Sequence, residues 1–321
     1  MRYLLEGSVR RVGETITINA QLISTETGAH VWADRFEGDR SKLGALQVEV
    51  VSRLANSLGV ELVKAEALRA IHERPNNPDA AHLVMRGWAV LNSILDKAAL
   101  YDAATLFDRA LALDPQSVPA MNGLAEALTW RVNMNWSDDR AGDITRAEET
   151  INRALSLQPH NSVAHSKKGY LFHAKRQWGP AIAEAEAAIV EDPNNADAYA
   201  MASFPKMYLG HSEDGFKGVE TALRLSPRDR LVPLWLYMCI LHAHLAQWEQ
   251  SIEWCSKSAA ADPRSWVAFM NLAAARDFLE IIDRKRRTGS RSDDGSAVTF
   301  GARWSAIYDI VAQTRVLLGF P

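Results

Sequence analysis

Apolar and polar residues alternate at the front of the chain and then change to a helical spacing. Thr15 to Leu22 alternates polar and apolar residues throughout, which predicts a strand with one buried face. Tyr3 to Arg11 and Ala29 to Phe36 are two further strand candidates. Turn residues separate the three stretches, so we predict three short antiparallel strands.

A helix is expected to follow the third strand, with Asp39 or Ser41 as its cap. Its apolar residues lie three or four positions apart and form one stripe, which predicts a helix that covers the sheet. These residues are Leu43, Leu46, Val50, Leu54 and Leu58. A second helical stretch is expected from Val60 to Glu73.

The rest of the chain is marked by prolines that end Ala-rich helical stretches at a near-constant interval. They are Pro115, Pro159, Pro193, Pro227 and Pro263, and the steps between them are 44, 34, 34 and 36 residues. A period of 34 residues with this punctuation predicts an array of helix–turn–helix repeats.

Small residues recur at fixed positions of the repeat. If each proline is position 32, then positions 20 and 27 carry alanine, glycine or serine in every unit, which predicts close packing of the two helices there. These positions are Ala103, Ala147, Ala181, Gly215 and Ser251, and Ala110, Ala154, Ala188, Ala222 and Ser258. Candidate caps of the first helices are Asn77, Ser117, Asn161, Asn195 and Ser265.

The front of the chain also resembles a known bacterial family. The stretches LEGSVR (5–10) and TGAHVWADRF (27–36) are similar to the end of the TolB-like amino-terminal domain of multidomain regulatory proteins. In that family the block follows a class III adenylate/guanylate cyclase domain or a winged-helix DNA-binding domain, and a tetratricopeptide (TPR) array comes after it. The resemblance covers roughly residues 2–270. No position here matches a catalytic residue of the family, so none is carried over.

The expected fold class is therefore mainly α: a TPR α-solenoid preceded by a small α+β module of three antiparallel strands plus a helix. The expected domains are a partial TolB-like domain (1–73) and an array of five full repeats plus a sixth first helix, Ser265 to Arg276 (74–283). A basic, flexible linker (284–300) and a C-terminal helix that caps the array (301–321) are expected to follow.

Composition and charge give no argument for nucleic acid or an anionic membrane as a partner. The chain is 47% hydrophobic and 23% charged, with a net charge of -3. The first residues lack the apolar core of a secretory signal, so a cytoplasmic location is expected. Cys239 and Cys255 are expected to be free, buried thiols, with a redox switch as the lesser alternative.

Motifs for chemistry are missing from the sequence. The nine histidines show no metal-ligand spacing, and no nucleotide-binding or hydrolase motif occurs. We therefore expect no cofactor, no metal and no catalysis in this chain.

The expected site is a concave groove lined by the first helices, which would bind a protein or peptide partner. Its candidate residues occupy the first-helix positions that face the groove in TPR proteins. They are Met85, Trp88, Asn92, Asn122, Glu126, Ser166, Tyr170, His173, Ala200, Phe204 and Met207. The alternative for several of them is a place in the core between repeats.

More than one interpretation of the whole chain stays open at this point. The chain is either a scaffold in its own right or the regulatory C-terminal part of a nucleotide cyclase or a winged-helix regulator. The open edge of the sheet at Tyr3 also allows self-association.

Two local features complete the expectations. The second unit is longer than the others, and its extra residues include Trp130 and Trp136. We expect both indoles to pack inward, with a surface contact patch as the alternative. The basic run from Arg284 to Arg291 is expected to be a solvated helix end that leads into the linker.

Overall fold

A computed structural model describes residues 3–39, 41, 50, 79–92, 96–226, 234–261 and 266–288. The side chains of Trp266 and of residues 281–288 are not part of that description. Within these ranges the chain forms three strands followed by eleven helices. The strands are β1 (Tyr3–Val12), β2 (Thr15–Ser24) and β3 (His30–Asp39).

The three strands form one antiparallel sheet in the order β1-β2-β3, as predicted. The turns that join them place Gly13 at φ 61° and Gly28 at φ 70°, a backbone region that residues with a Cβ rarely adopt. Leu22, Trp32 and Phe36 are buried in a small core, to which Val50 also belongs. The rest of the expected covering helix, and the helix expected at 60–73, lie outside the described residues.

The eleven helices follow one another as antiparallel neighbours. They are α1 (Ala80–Leu91), α2 (Lys97–Leu113), α3 (Val118–Asn133), α4 (Arg140–Leu157), α5 (Ser162–Ala174), α6 (Trp178–Glu191), α7 (Ala196–Tyr208), α8 (Ser212–Leu225), α9 (Leu234–His244), α10 (Trp248–Ala261) and α11 (Trp266–Thr288). The first ten make five helical hairpins, from α1–α2 to α9–α10, and α11 stands where a sixth hairpin begins.

Side-chain caps start several first helices. The side chains of Asn161 and Asn195 accept hydrogen bonds from the backbone N–H groups of Ala164 and Ala198, as the sequence predicts. Ser117 occupies the cap position of α3 but makes no such bond. Asp79 caps α1. The other two expected caps, Asn77 and Ser265, lie outside the described residues.

Close packing at the small positions confirms the repeat phase. Ala103, Ala147 and Ala181 have no exposed surface. Gly169 occupies position 8 of the unit that contains Ala181, and a Cβ atom added to it would lie 2.2 Å from Cε of Met201 and 3.3 Å from the carbonyl oxygen of Ala181. Larger residues at these points would push the helices apart, which is the physical reason for the periodic small residues.

The helix α11 is longer than the sequence predicts. The expected end is Arg276, but the helix continues to Thr288 and so includes the start of the expected linker. Phe278 stacks on Trp248 of α10, with 5.0 Å between the ring centroids, which gives this extension a packing partner. Residues 289–321, with the rest of the linker and the C-terminal helix, lie outside the described residues.

The two cysteines are joined, which corrects the expectation of free thiols. Cys239 of α9 and Cys255 of α10 form a disulfide, and neither residue is exposed. Their Cα atoms are 4.9 Å apart because positions 8 and 24 of a unit face each other across the hairpin. The disulfide therefore links the two helices of the fifth repeat.

Neither a membrane span nor a metal cluster occurs in the described ranges. None of the helices there combines the length and the apolar character that a bilayer crossing requires. The same ranges hold no group of three or more histidine, cysteine, aspartate or glutamate residues in a metal-binding arrangement.

Candidate partner-binding groove

The first helices of successive repeats form one continuous row. In the described part of the chain, α1 contacts α3, α3 contacts α5, α5 contacts α7, and α7 contacts α9. The second helices α2, α4, α6, α8 and α10 each pack between the first helix of their own repeat and the first helix of the next one. The candidate groove is the surface of this row of first helices.

The predicted groove residues divide into two groups by exposure. Six of them are buried: Asn122, Glu126, Ser166, Tyr170, Ala200 and Met207. Five are half-buried: Met85, Trp88, Asn92, His173 and Phe204. The second group offers accessible surface at two places, on α1 with its C-cap residue Asn92 and at the C-terminal ends of α5 and α7.

A buried ionic network joins three first helices. The Nζ atom of Lys167 on α5 lies 2.8 Å from Oε2 of Glu126 on α3 and 2.7 Å from Oδ2 of Asp197 on α7. The hydroxyl of Tyr170 donates a hydrogen bond of 2.9 Å to the other carboxylate oxygen of Asp197. Lys167 and Glu126 are both almost completely buried, and the side chain of Asp197 is 21% exposed, so water screens the charges that join the three repeats only weakly.

The pKa values in this network follow from burial and from the neighbouring charges. Burial raises the pKa of the Glu126 carboxyl, and the adjacent Lys167 ammonium acts in the opposite direction. Burial by itself lowers the pKa of Lys167, but the Asp197 and Glu126 carboxylates outweigh this effect, so its pKa is raised above its usual range. Lys167 therefore stays charged at neutral pH.

Polar side chains continue the network along the row. Asn122 donates a hydrogen bond of 3.3 Å to the cap residue Asn161 of the next first helix. One repeat further on, the cap residue Asn195 donates to the hydroxyls of Ser162 and Ser166, at 2.7 and 3.1 Å. Each of these bonds crosses from one repeat to the next, and together they fix the spacing of neighbouring first helices.

Aromatic rings surround His173 near the ends of α5 and α7. The ring centroids of Trp178, Phe204 and Tyr208 lie 5.3, 6.2 and 6.5 Å from that of His173. Burial lowers the pKa of His173 to about 4, so the imidazole is neutral at physiological pH. Phe204 also contacts Tyr237 on α9 edge to face, at 4.3 Å. This cluster makes the second accessible part of the row apolar and aromatic.

The second repeat is longer than the others, and its extra residues pack against the core of the solenoid. Trp130 is buried, and Trp136 packs against the same core, so the expectation that both indoles point inward is confirmed. The hydroxyl of Tyr101 donates to Asp138 at 2.6 Å, and the guanidinium of Arg131 lies 3.8 Å from the Tyr101 ring centroid.

Two members of the ionic network are not among the predicted groove residues. Lys167 occupies position 6 of its unit, which is not a groove position, and Asp197 occupies the groove position 2 of the next unit. A signal existed: Glu126, Lys167 and Asp197 are charges of alternating sign in three successive first helices. Such charges become neighbours once the helices are stacked.

The fold is that of a TPR α-solenoid preceded by a small three-stranded antiparallel sheet. No protein-family model matches the chain. The chain is 32% identical over 191 residues to "Putative adenylate cyclase 3" of Rhizobium meliloti (strain 1021). This match includes 59% of the chain and 31% of the relative, so the chain spans about a third of the relative's length.

Solved structures share the helical fold at low sequence identity. A human IFIT1 dimer with m7Gppp-AAAA is similar with a TM-score of 0.54 and 15% identity, over 64% of this chain and 47% of that one. A thermophilic TPR protein of Thermus thermophilus is similar with a TM-score of 0.48 and 16% identity, over 61% of this chain and 98% of that one. Likeness at such identity describes the fold and carries no function.

Proposed function

We propose that this chain is a non-catalytic scaffold that binds a peptide segment of a protein partner along its row of first helices. One observation carries the proposal: accessible aromatic side chains lie on both sides of a rigid ionic centre, which is the buried network of Glu126, Lys167 and Asp197. Trp88 lies on one side of the Glu126–Lys167–Asp197 network, and Phe204 lies on the other.

The rigid centre supports binding because it reduces the entropy that association costs. The three charged side chains hold each other, so α3, α5 and α7 are already placed before a partner arrives. Neighbouring side chains also fix Trp88. Its ring packs edge to face against Phe107, with 5.6 Å between the ring centroids, and the ring centroid lies 5.8 Å from Nζ of Lys167. Half-buried aromatic residues on a fixed backbone are typical anchors of protein interfaces.

Peptides selected from a random phage-displayed library on the immobilised chain test this proposal. Trp88→Ala and Phe204→Ala are expected to weaken binding of the selected peptides by at least about tenfold, as anchors do. Val190→Ala on α6 is the control, because Val190 is 78% exposed on a second helix. Peptides that lose affinity with Val190→Ala and keep it with the other two variants would refute the groove assignment.

A second candidate function is regulation of a nucleotide cyclase. The similarity to a protein named as a putative adenylate cyclase favours it, as does the TolB-like resemblance of residues 2–36. In this case the groove or the sheet would receive a signal, and the catalytic domain would lie elsewhere in a longer protein. A winged-helix regulator is the corresponding variant with a DNA-binding domain.

The mass of the native protein separates these candidates. Native protein captured with an antibody against this chain would have a mass near 35.6 kDa if the scaffold acts alone. A much larger mass, together with conversion of ATP or GTP to the cyclic nucleotide, would support the cyclase regulator. A larger protein without that activity that binds duplex DNA would support the winged-helix variant.

A cytoplasmic location is part of the first proposal. The Cys239–Cys255 disulfide is the observation that stands against it, because disulfides are rare in reducing compartments. Fractionation of the source cells, with immunodetection of this chain, decides the location.

A further inference from the structure

The strand β1 forms an edge of the sheet, and its apolar side chains are exposed. It pairs with β2 along one edge, and no other strand of the described ranges pairs with its second edge. Leu5 is directly opposite Leu22, so the two side chains lie on the same face of the sheet. Leu22 is buried, whereas Leu5 is 49% exposed and Val9 on the same face is 73% exposed. The apolar face thus extends beyond its covered part onto the edge strand.

Part of β1 is complementary to itself when its sequence is read in the opposite direction. If Ser8 faces Ser8 of a second strand, Glu6 faces Arg10 and Leu4 faces Val12, whereas Leu5 faces Arg11. Each of these contacts occurs twice because the arrangement is two-fold symmetric. Opposite charges and apolar residues in directly opposed positions stabilise an antiparallel pair.

We propose that β1 pairs with β1 of a second copy of this chain, in the antiparallel register centred on Ser8. The result is a dimer with a continuous six-stranded sheet. In this register Glu6 meets the partner's Arg10, and Leu4 meets the partner's Val12. The inference is independent of the proposed groove, because it involves the sheet and not the helices.

The register also keeps the two apolar faces together. Side chains of directly opposed residues lie on the same face of a sheet, so a register centred on Ser8 places Leu5 and Val9 of both copies on one side. A shift by one residue would place the apolar face of one copy beside the polar face of the other. That polar face carries the hydrogen bonds from Gln21 to Glu6 and from Asn19 to Ser8, at 3.0 and 3.3 Å.

Analytical ultracentrifugation of the 321-residue chain and of variants in which charged residues of β1 are reversed in sign tests the proposal. The unaltered chain is expected to form a dimer, and Glu6→Arg or Arg10→Glu is expected to weaken dimerisation by at least about tenfold through like-charge contacts. The double variant E6R/R10E restores the pairing and should restore the dimer. Such a rescue distinguishes a β1–β1 contact from general damage to the sheet.

Glu37→Arg on the opposite edge strand β3 is the matched control and should leave the dimer intact. Circular dichroism of every variant shows that the helices are retained. A monomeric unaltered chain would overturn the proposal, and so would a dimer that neither single exchange weakens. Weakening by both single variants without rescue in E6R/R10E would also reject the Ser8 register.

Discussion

The Nζ atom of Lys167 on α5 lies 2.8 Å from Oε2 of Glu126 on α3, and both side chains are almost completely excluded from water. A buried ion pair of this kind contributes little net stability, since the loss of hydration offsets the attraction. Removal of one partner is costly, however, because an unpaired charge is then left in the interior. We therefore expect the pair to specify the register of neighbouring repeats more than it stabilises them.

Lys167→Met should lower the free energy of unfolding by about 3–5 kcal/mol, because Glu126 and Asp197 lose their buried counter-ion. Urea titration of the variant and the unaltered chain measures the difference. Lys257→Met is the control, because its ion pair with Glu253 is exposed, and we expect no measurable change. Equal stability of Lys167→Met and the unaltered chain would show that the network is not formed.

The effect of Lys167→Met should depend on pH. The pKa of Glu126 is raised by burial, so the folded state binds a proton more readily than the unfolded state does. The stability that Glu126 contributes is therefore fully present below the pKa of its carboxyl in the unfolded state. It is lost as pH rises through the pKa of that carboxyl in the folded state. Loss of the Lys167 charge raises that folded pKa further. The stability loss in the variant should thus be smaller at about pH 5 than at about pH 8, and equal losses at both would contradict this assignment.

Ala181→Leu should destabilise the array through overpacking. Ala181 has no exposed surface, and its carbonyl oxygen would lie 3.3 Å from a Cβ atom at Gly169. The expected loss is about 1–3 kcal/mol, seen as a lower unfolding midpoint. Gly179→Ala on the same helix is the control, because an added Cβ there meets nothing within 4 Å. An unchanged midpoint for Ala181→Leu would count against the repeat phase.

His173 should make stability fall in mild acid. Burial lowers its pKa to about 4, from a usual value of 6.5, so only the unfolded state is protonated between these values. The stability that His173 contributes is fully present above the pKa of its imidazole in the unfolded state. As pH falls towards about 4, up to about 3 kcal/mol of this contribution is lost. His173→Phe removes this contribution and should make the profile shallower, while His244, whose pKa burial also lowers to about 4, keeps part of the slope. NMR titration of the imidazole checks the pKa directly, and a value near 6.5 would refute the neutral state at mildly acidic pH.

The disulfide should be detectable by thiol counting and by reduction. The denatured, unreduced chain should show no free thiol, because Cys239 and Cys255 are both bonded. A bond that spans 16 residues is expected to stabilise the fold by about 3 kcal/mol. The double variant Cys239→Ala, Cys255→Ala should lose that amount and become insensitive to dithiothreitol. Two reactive thiols in the unreduced, denatured chain would contradict the pairing.

Much of the fold was predictable because its determinants are local or periodic. The strand at Thr15 and the turn glycines Gly13 and Gly28 are visible from alternation and turn chemistry. The phase of the repeats follows from alanines such as Ala147 and Ala181, since a close helix contact tolerates no larger residue.

The centre of the candidate site was harder to predict because its contacts join different repeats. Glu126 and Lys167 are 41 positions apart, and a helical wheel of either helix shows only a charged residue. Burial of these charges depends on the stacking angle of three first helices, which no single unit encodes. For the same reason the sequence left Asn122 and Tyr170 open between groove and core, while the structure buries both.

The central claim is that a partner binds along the first helices, and hydrogen–deuterium exchange tests it most directly. Exchange is measured on the chain alone and on the chain saturated with a peptide selected from the phage-displayed library. The account predicts added protection in α1, α3, α5 and α7, with little change in α2, α4 and α6. Protection confined to the second helices or to the sheet would contradict it.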